Sequence, residues 1–163
     1  MNLILAILVL LLALWKGDWR NWEAYYPSML YIAFAAFLYE FISYDQFQLW
    51  ELEKGPFLNN MSAHFVHNLI INPFTILVYL SNYPSKGKKL WYNFRWVISF
   101  WLVECLASWT QIITYHNGWN LGWSLLFTTM MFPMVRLHHV NKRLALPLSV
   151  FFTVLLLVMF DYL

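Results

Sequence analysis

Two histidines, His64 and His67, stand three residues apart in a long apolar run, with Asn68 and Asn72 close behind, and a lone carboxylate, Glu104, sits in the middle of a second run. Positions three, four, seven and eight apart share one face of a helix. His64, His67 or Asn68, and Asn72 therefore form one polar stripe, and Glu104, Ser108 and Gln111 or Tyr115 form another. An imidazole beside a carboxylate can share a proton, so Glu104 is expected to pair with His64 or His67, with Glu40 as a second carboxylate. A plainer reading is that the two stripes only join helices, as polar side chains do in many membrane bundles. His64, His67, Glu104 and Glu40 are also the four ligands that a transition metal would use. The His-x-x-His spacing is common by chance, however, and nothing else fits a metal motif, so no metal or other cofactor is expected. His138 and His139 adjoin Arg136 and Lys142, whose charges oppose binding a further cation, and both read as interfacial. In Tyr115-His116-Asn117-Gly118-Trp119-Asn120, the Asn-Gly pair favours a tight turn with positive φ. That segment is either only a turn with interfacial aromatics, or the place where His116 and Asn120 form the lip of a cavity.

The elements that must position these residues follow from composition. Only 11% of the 163 residues are charged, against about 25% in an ordinary soluble domain, and 61% are hydrophobic. A soluble globule of this length cannot hide so much apolar surface. One integral membrane domain is left, and Cys105, the single cysteine, excludes an internal disulfide. Crossing the hydrocarbon layer takes roughly 20 mostly apolar residues, with flanking side chains able to extend a shorter run. Six runs qualify, over residues 2–15, 28–44, 61–80, 91–115, 119–137 and 144–163. The first lacks the basic start and small-residue cleavage site of a signal peptide and reads as a retained helix. Pro133 and Pro147 interrupt the last two runs, which membrane helices tolerate because neighbours satisfy the freed carbonyl. The predicted class is all-α, a polytopic bundle of six transmembrane helices.

Six spans put alternate loops on opposite sides. Nine of the ten Lys and Arg residues then fall on one side: Lys16 and Arg20; Lys86, Lys88, Lys89 and Arg95; Arg136, Lys142 and Arg143. Lys54 alone falls on the other, in a loop with Asp45, Glu51 and Glu53. Basic loops stay in the cytoplasm, so both termini are predicted outside. Glu104 and Asn72 then lie near midplane, while His64, His67, Asn68, Gln111 and Glu40 lie in the outer half. The basic loops either only set this orientation or also recognise an anionic lipid or acidic partner. No soluble basic domain is available to hold nucleic acid.

The Lys16-Gly17-Asp18-Trp19 element, the His67-Asn68 and Asn72-Pro73 pairs, Tyr115-His116-Asn117-Gly118-Trp119-Asn120, Trp123-Ser124-Leu125 and Arg136-Leu137-His138 together carry a resemblance. The chain resembles a family of small multi-spanning membrane proteins from endospore-forming bacilli and clostridia, named only after a clostridial locus. The likeness covers almost the whole chain, and the Tyr-His-Asn-Gly-Trp-Asn run is its specific part. It implies a multi-pass protein of the bacterial cytoplasmic membrane and carries over no catalytic residue. His64 and Asn68 also loosely resemble the last motif of the membrane glutamyl peptidases, but the paired glutamates of those enzymes are missing. The expected function is non-enzymatic: an outward-facing polar pocket, built from Glu104, His67, His64, Asn68, Asn72, Glu40, Gln111, His116 and Asn120, that binds a small ligand, a lipid or a partner membrane protein. The alternatives are a metal-assisted or acid-base enzyme acting on lipid, and a small transporter.

Overall fold

The computed structural model describes residues 2–43, 48–52 and 60–162. The first helix, α1 (Asn2–Lys16), is apolar from Leu3 to Trp15. It ends at Gly17, where the chain passes so close that an added Cβ would lie 2.5 Å from the Ala13 carbonyl oxygen and 3.2 Å from Leu77. Only glycine allows that approach, and the Trp19 indole N–H, at 2.8 Å, donates to the same Ala13 carbonyl. One 3-10 turn (Trp19–Asn21) leads into α2 (Trp22–Ser43). Pro27 thus lies inside this helix, whereas the apolar pattern placed it just before the helix start.

The next rod is interrupted in register but not in direction. Helix α3 (Asn60–Val66) passes through a π-helical turn (His67–Ile71) into α4 (Asn72–Ser81). Pro73 has no N–H to give and its ring crowds the carbonyl four residues back. One extra residue in the turn relieves that crowding, and the Asn72 N–H reaches back to the His67 carbonyl. Helix α5 (Lys89–Trp109) is followed by α6 (Leu121–Val140) and α7 (Lys142–Met159). Asn141 alone separates the last two. Its N–H donates to the Leu137 carbonyl at 2.7 Å, and its side-chain oxygen accepts from the Leu144 N–H at 3.2 Å. One asparagine thereby closes one helix and caps the next.

The all-α expectation needs one correction. Residues 110–115 do not continue α5: Gln111 adopts φ +58°, and Ile113–Tyr115 forms a strand, β2, antiparallel to β1 (Trp50–Leu52), with Trp50 opposite Tyr115. Ile-Thr-Tyr is a β-branched and aromatic triplet, suited to a short pleated pair. Lys54, Asp45, Glu53 and Tyr44, the end of the second predicted run, lie outside the described residues.

Helix α4 packs against α1 and α2, α5 against α6, and α6 against α7 and α2. A core of Ile32, Ile76, Tyr79, Val97, Phe132 and Val135 joins α2, α4, α5 and α6. Nearby contacts gather the basic loops at one end of the bundle. The Asp18 N–H donates to Ser81 Oγ (3.0 Å), Asn82 Nδ2 to the Lys16 carbonyl (2.9 Å), and Arg136 lies over the Tyr83 ring. His138 lies inside the bundle. It is buried, stacked on Tyr31 and 3.0 Å from Ser28 Oγ through Nδ1. At the opposite end the two strands join Leu49, Trp119 and Phe160 in a second apolar cluster.

The outer faces of the helices carry apolar side chains, including Leu8, Leu11, Leu90, Leu102, Trp109, Phe151 and Val154. Among the described residues, three helices are long and apolar enough to cross a membrane: Trp19–Ser43, Met61–Ser81 and Lys142–Met159. A surface this apolar suits lipid better than water.

Candidate functional site

Late in α2, the carboxylate of Glu40 reaches across to α3 and the π turn. Its Oε1 receives a hydrogen bond from Asn68 Nδ2 at 2.7 Å and lies 2.6 Å from His64 Nδ1. His64 and Asn68 are four residues apart, so one helical face presents both to the same oxygen. Asn68 is fully buried, while His64 and Glu40 keep 19% and 25% of their side chains exposed. One turn from His64, the Nδ1 atom of His67 is buried without a hydrogen-bond partner among the described residues.

The expected pairing of Glu104 with His64 or His67 is therefore corrected. His64 is taken by Glu40, and Glu104 Oε1 accepts from the Tyr115 hydroxyl at 2.8 Å. Neighbourhood explains the outcome, since α3 and the π turn pack on α1, α2 and β1, whereas α5 packs on α6 and β2. The shortened α5 also changes the second stripe. Tyr115 approaches Glu104 from a strand rather than from the same helix, and Gln111 sits exposed in the turn between them. The Tyr115 phenol is held above its ordinary pKa of 10, chiefly by burial and then by the Glu104 carboxylate, so it stays a proton donor.

The turn after β2 is structural rather than a lip. His116 is exposed; its N–H donates to the Leu49 carbonyl at 2.8 Å and its Nε2 lies 3.2 Å from Thr114 Oγ1. Asn120 caps α6, its Oδ1 accepting from the Gly122 and Trp123 N–H groups at 2.9 and 3.2 Å. The Asn-Gly expectation is met in backbone terms: Asn117 and Gly118 take φ of +52° and +84°. Asn117 Nδ2 also donates to the Gln48 carbonyl, tying the turn to the segment before β1.

A cavity of about 440 Å³ lies between the helices, within the size range of ordinary small-molecule sites. His67, Asn68, Asn72 and Glu104 line it, whereas Glu40, His64, Gln111, His116 and Asn120 do not. Glu40 and His64 instead stand behind Asn68 and hold it in the wall. Small residues of four helices, Ala36, Thr75, Ser99, Ala107 and Thr128, leave the space open, and aromatic side chains line it beside them. Two of these were not singled out from the sequence. Tyr39 accepts the Leu49 and Trp50 N–H groups at 3.1 and 3.2 Å, and the buried Trp119 donates through its indole to Ser124 Oγ at 2.8 Å. The Tyr39 partners come from the segment that leads into β1, outside its own helix, so the apolar run gives no sign of them.

Among the described residues, no three His, Cys, Asp or Glu side chains come close enough together to hold a metal ion, so the His64, His67, Glu104 and Glu40 set is not assembled. What the arrangement offers chemically is an apolar chamber with one carboxylate, one unsatisfied imidazole nitrogen and a few amide and hydroxyl groups. Comparison with protein families, with curated proteins and with solved structures finds no match for this chain.

Proposed function

We propose that this is a six-span protein of the bacterial cytoplasmic membrane, with both termini outside, that binds a lipid-like or other small apolar ligand in the cavity between its helices. The single observation carrying the reading is the chamber of about 440 Å³, apolar in most of its walls yet bordered by Glu104, His67 and Asn72. A polar group within hydrocarbon is costly unless it has a partner, and a bound ligand supplies one. The six-span count is supported by the lengths of α5 and α6, 21 and 20 residues, which reach about 30 Å at 1.5 Å per residue. Their Trp, Tyr, Thr and charged residues lower their mean hydropathy below that of the other long helices. The orientation is supported by the convergence of the basic loops at one end, and the bacterial location by the family resemblance alone.

Two measurements test the reading. On intact cells carrying Cys105→Ser, a membrane-impermeant maleimide is expected to label Asn117→Cys and to spare Lys88→Cys; the reverse pattern would overturn the orientation. For the cavity, a neutral environment-sensitive acyl probe is expected to bind purified protein in mild detergent and to be displaced by Ser99→Trp or Ala36→Trp, which fill the space. Equal binding in the filled variants would remove the cavity from consideration.

A second reading, an acid-base enzyme acting on lipid, is favoured by the Glu40–His64–Asn68 set alone. A carboxylate that fixes one imidazole nitrogen leaves the other able to move a proton. Lipid turnover lost in His64→Gln, with probe binding retained, would establish it.

A further inference from the structure

We propose that the cavity selects a hydrophobic monocation, an apolar molecule with a single ammonium-like or phosphonium-like charge that rests against Glu104. This rests on the ligand-binding reading above and adds the sign of the ligand's charge.

The walls argue for it by what they contain. Among the described residues, Glu104 is the only carboxylate on the cavity surface and no Lys or Arg shares that surface. Among the described residues, Lys16 and Arg136 make their contacts at the far end of the bundle, away from it. The nearby carboxylate of Glu40 is already committed, since its Oε1 meets both His64 and Asn68. Glu104 receives one donor, Tyr115, at Oε1, and Oε2 receives none among the described residues. A carboxylate held by one phenol and facing an apolar chamber lacks a counter-charge, and a bound cation supplies it.

The remaining walls suit the rest of such a ligand. Trp96, Phe100, Trp119 and Phe127 border the same space and present aromatic rings to a diffuse positive charge. An anionic amphiphile would meet repulsion from Glu104 with no cation among the described lining residues to offset it. A neutral one would fill the volume but leave the carboxylate without a partner.

Tetraphenylphosphonium and tetraphenylborate have nearly the same size and shape and opposite charge, so together they isolate the sign. Binding of each is measured by equilibrium dialysis on the full chain in an uncharged detergent, beside the neutral acyl probe. Tetraphenylphosphonium is expected to bind at least about tenfold more tightly than tetraphenylborate, and Glu104→Gln to remove at least about tenfold of that affinity. Glu104→Asp, which keeps the charge, should restore part of it and serves as the deciding variant if Glu104→Gln fails to fold. Glu23→Gln, which removes a carboxylate from the exposed start of α2, should change nothing. Equal affinity for the two ions, or unchanged preference in Glu104→Gln, would overturn the charge selectivity while leaving the cavity as a binding site. If neither ion nor the neutral probe binds, the ligand-binding reading falls with it.

Discussion

The two ends of the bundle are both lined with apolar and aromatic side chains and are packed differently. At the basic end large rings meet one another: Tyr79 contacts Tyr83, Tyr92, Trp96 and Phe132, and its hydroxyl donates to Asn93 Oδ1 at 2.6 Å. The Tyr92 hydroxyl in turn donates to the Tyr79 carbonyl at 2.8 Å. At the other end the facing positions carry Ala36, Ser99, Ala107 and Thr128, and the rings of Trp119, Tyr39 and Trp50 stand around the space instead of filling it. The difference teaches that composition does not decide where a helix bundle is solid. Cross-helix matching of large against small side chains does, because a void forfeits dispersion contacts on every side.

The sharpest way to break this contrast is truncation at the packed end. Phe132→Ala deletes a fully buried ring and is expected to cost about 3–5 kcal/mol, visible as a large drop in Tm in mild detergent. Ser99→Ala, at the cavity wall, should stay within about 0.5 kcal/mol. Similar losses at the two positions would mean that the cavity is not a real void. Next in size, Asn68→Ala removes a buried amide from Glu40 and should cost about 1–3 kcal/mol, with Asn68→Asp worse because it sets a second carboxylate against the first.

Tyr115→Phe tests the strand's hold on α5. Loss of one hydrogen bond to a carboxylate should cost about 1–2 kcal/mol and leave the helices intact by circular dichroism. Because the Tyr115 pKa is raised, its contribution is complete below the unfolded value of about 10 and is lost as pH rises through the folded value. Thermal melts in the alkaline range should therefore separate wild type from Tyr115→Phe less and less as pH climbs. The smallest effect is expected at the basic end. Asn21 Nδ2 donates to the Asp18 carboxylate and holds its pKa below the ordinary carboxylate range. That stabilisation is present above the unfolded pKa and disappears as pH falls through the lowered one, so Asp18→Asn should flatten only the acid arm of the Tm profile. A larger acid effect would mean that the exposed loop carries more of the fold than its contacts show.

Much of the helical framework is legible in hydropathy and punctuation. The run over 61–80 corresponds closely to the rod formed by α3, the π turn and α4. The local signals fail where a distant segment supplies the partner. Ile113–Tyr115 continues an apolar run, yet it pairs as a strand because Trp50–Leu52 lies alongside. The π turn follows from Pro73, but only the packed rod shows that the chain absorbs the proline by widening instead of breaking. The candidate site divides in the same way. His67, Asn68, Asn72 and Glu104 were recognisable as polar residues in apolar surroundings and all reach the cavity; Glu40 and Tyr115 were candidates too, but the pairing of Glu40 with His64 and of Tyr115 with Glu104, in place of Glu104 with a histidine, came only from the packing.

By itself the amino-acid order determined the predominance of helix, the apolar outer surface and the segregation of basic residues, because each depends on a residue's own affinity for lipid, water or a helical backbone. Tertiary structure alone decided which helix lies beside which, and with it the partners of the two carboxylates, the two strands and the chamber. Those depend on contacts between side chains far apart in the chain, and no local periodicity encodes them.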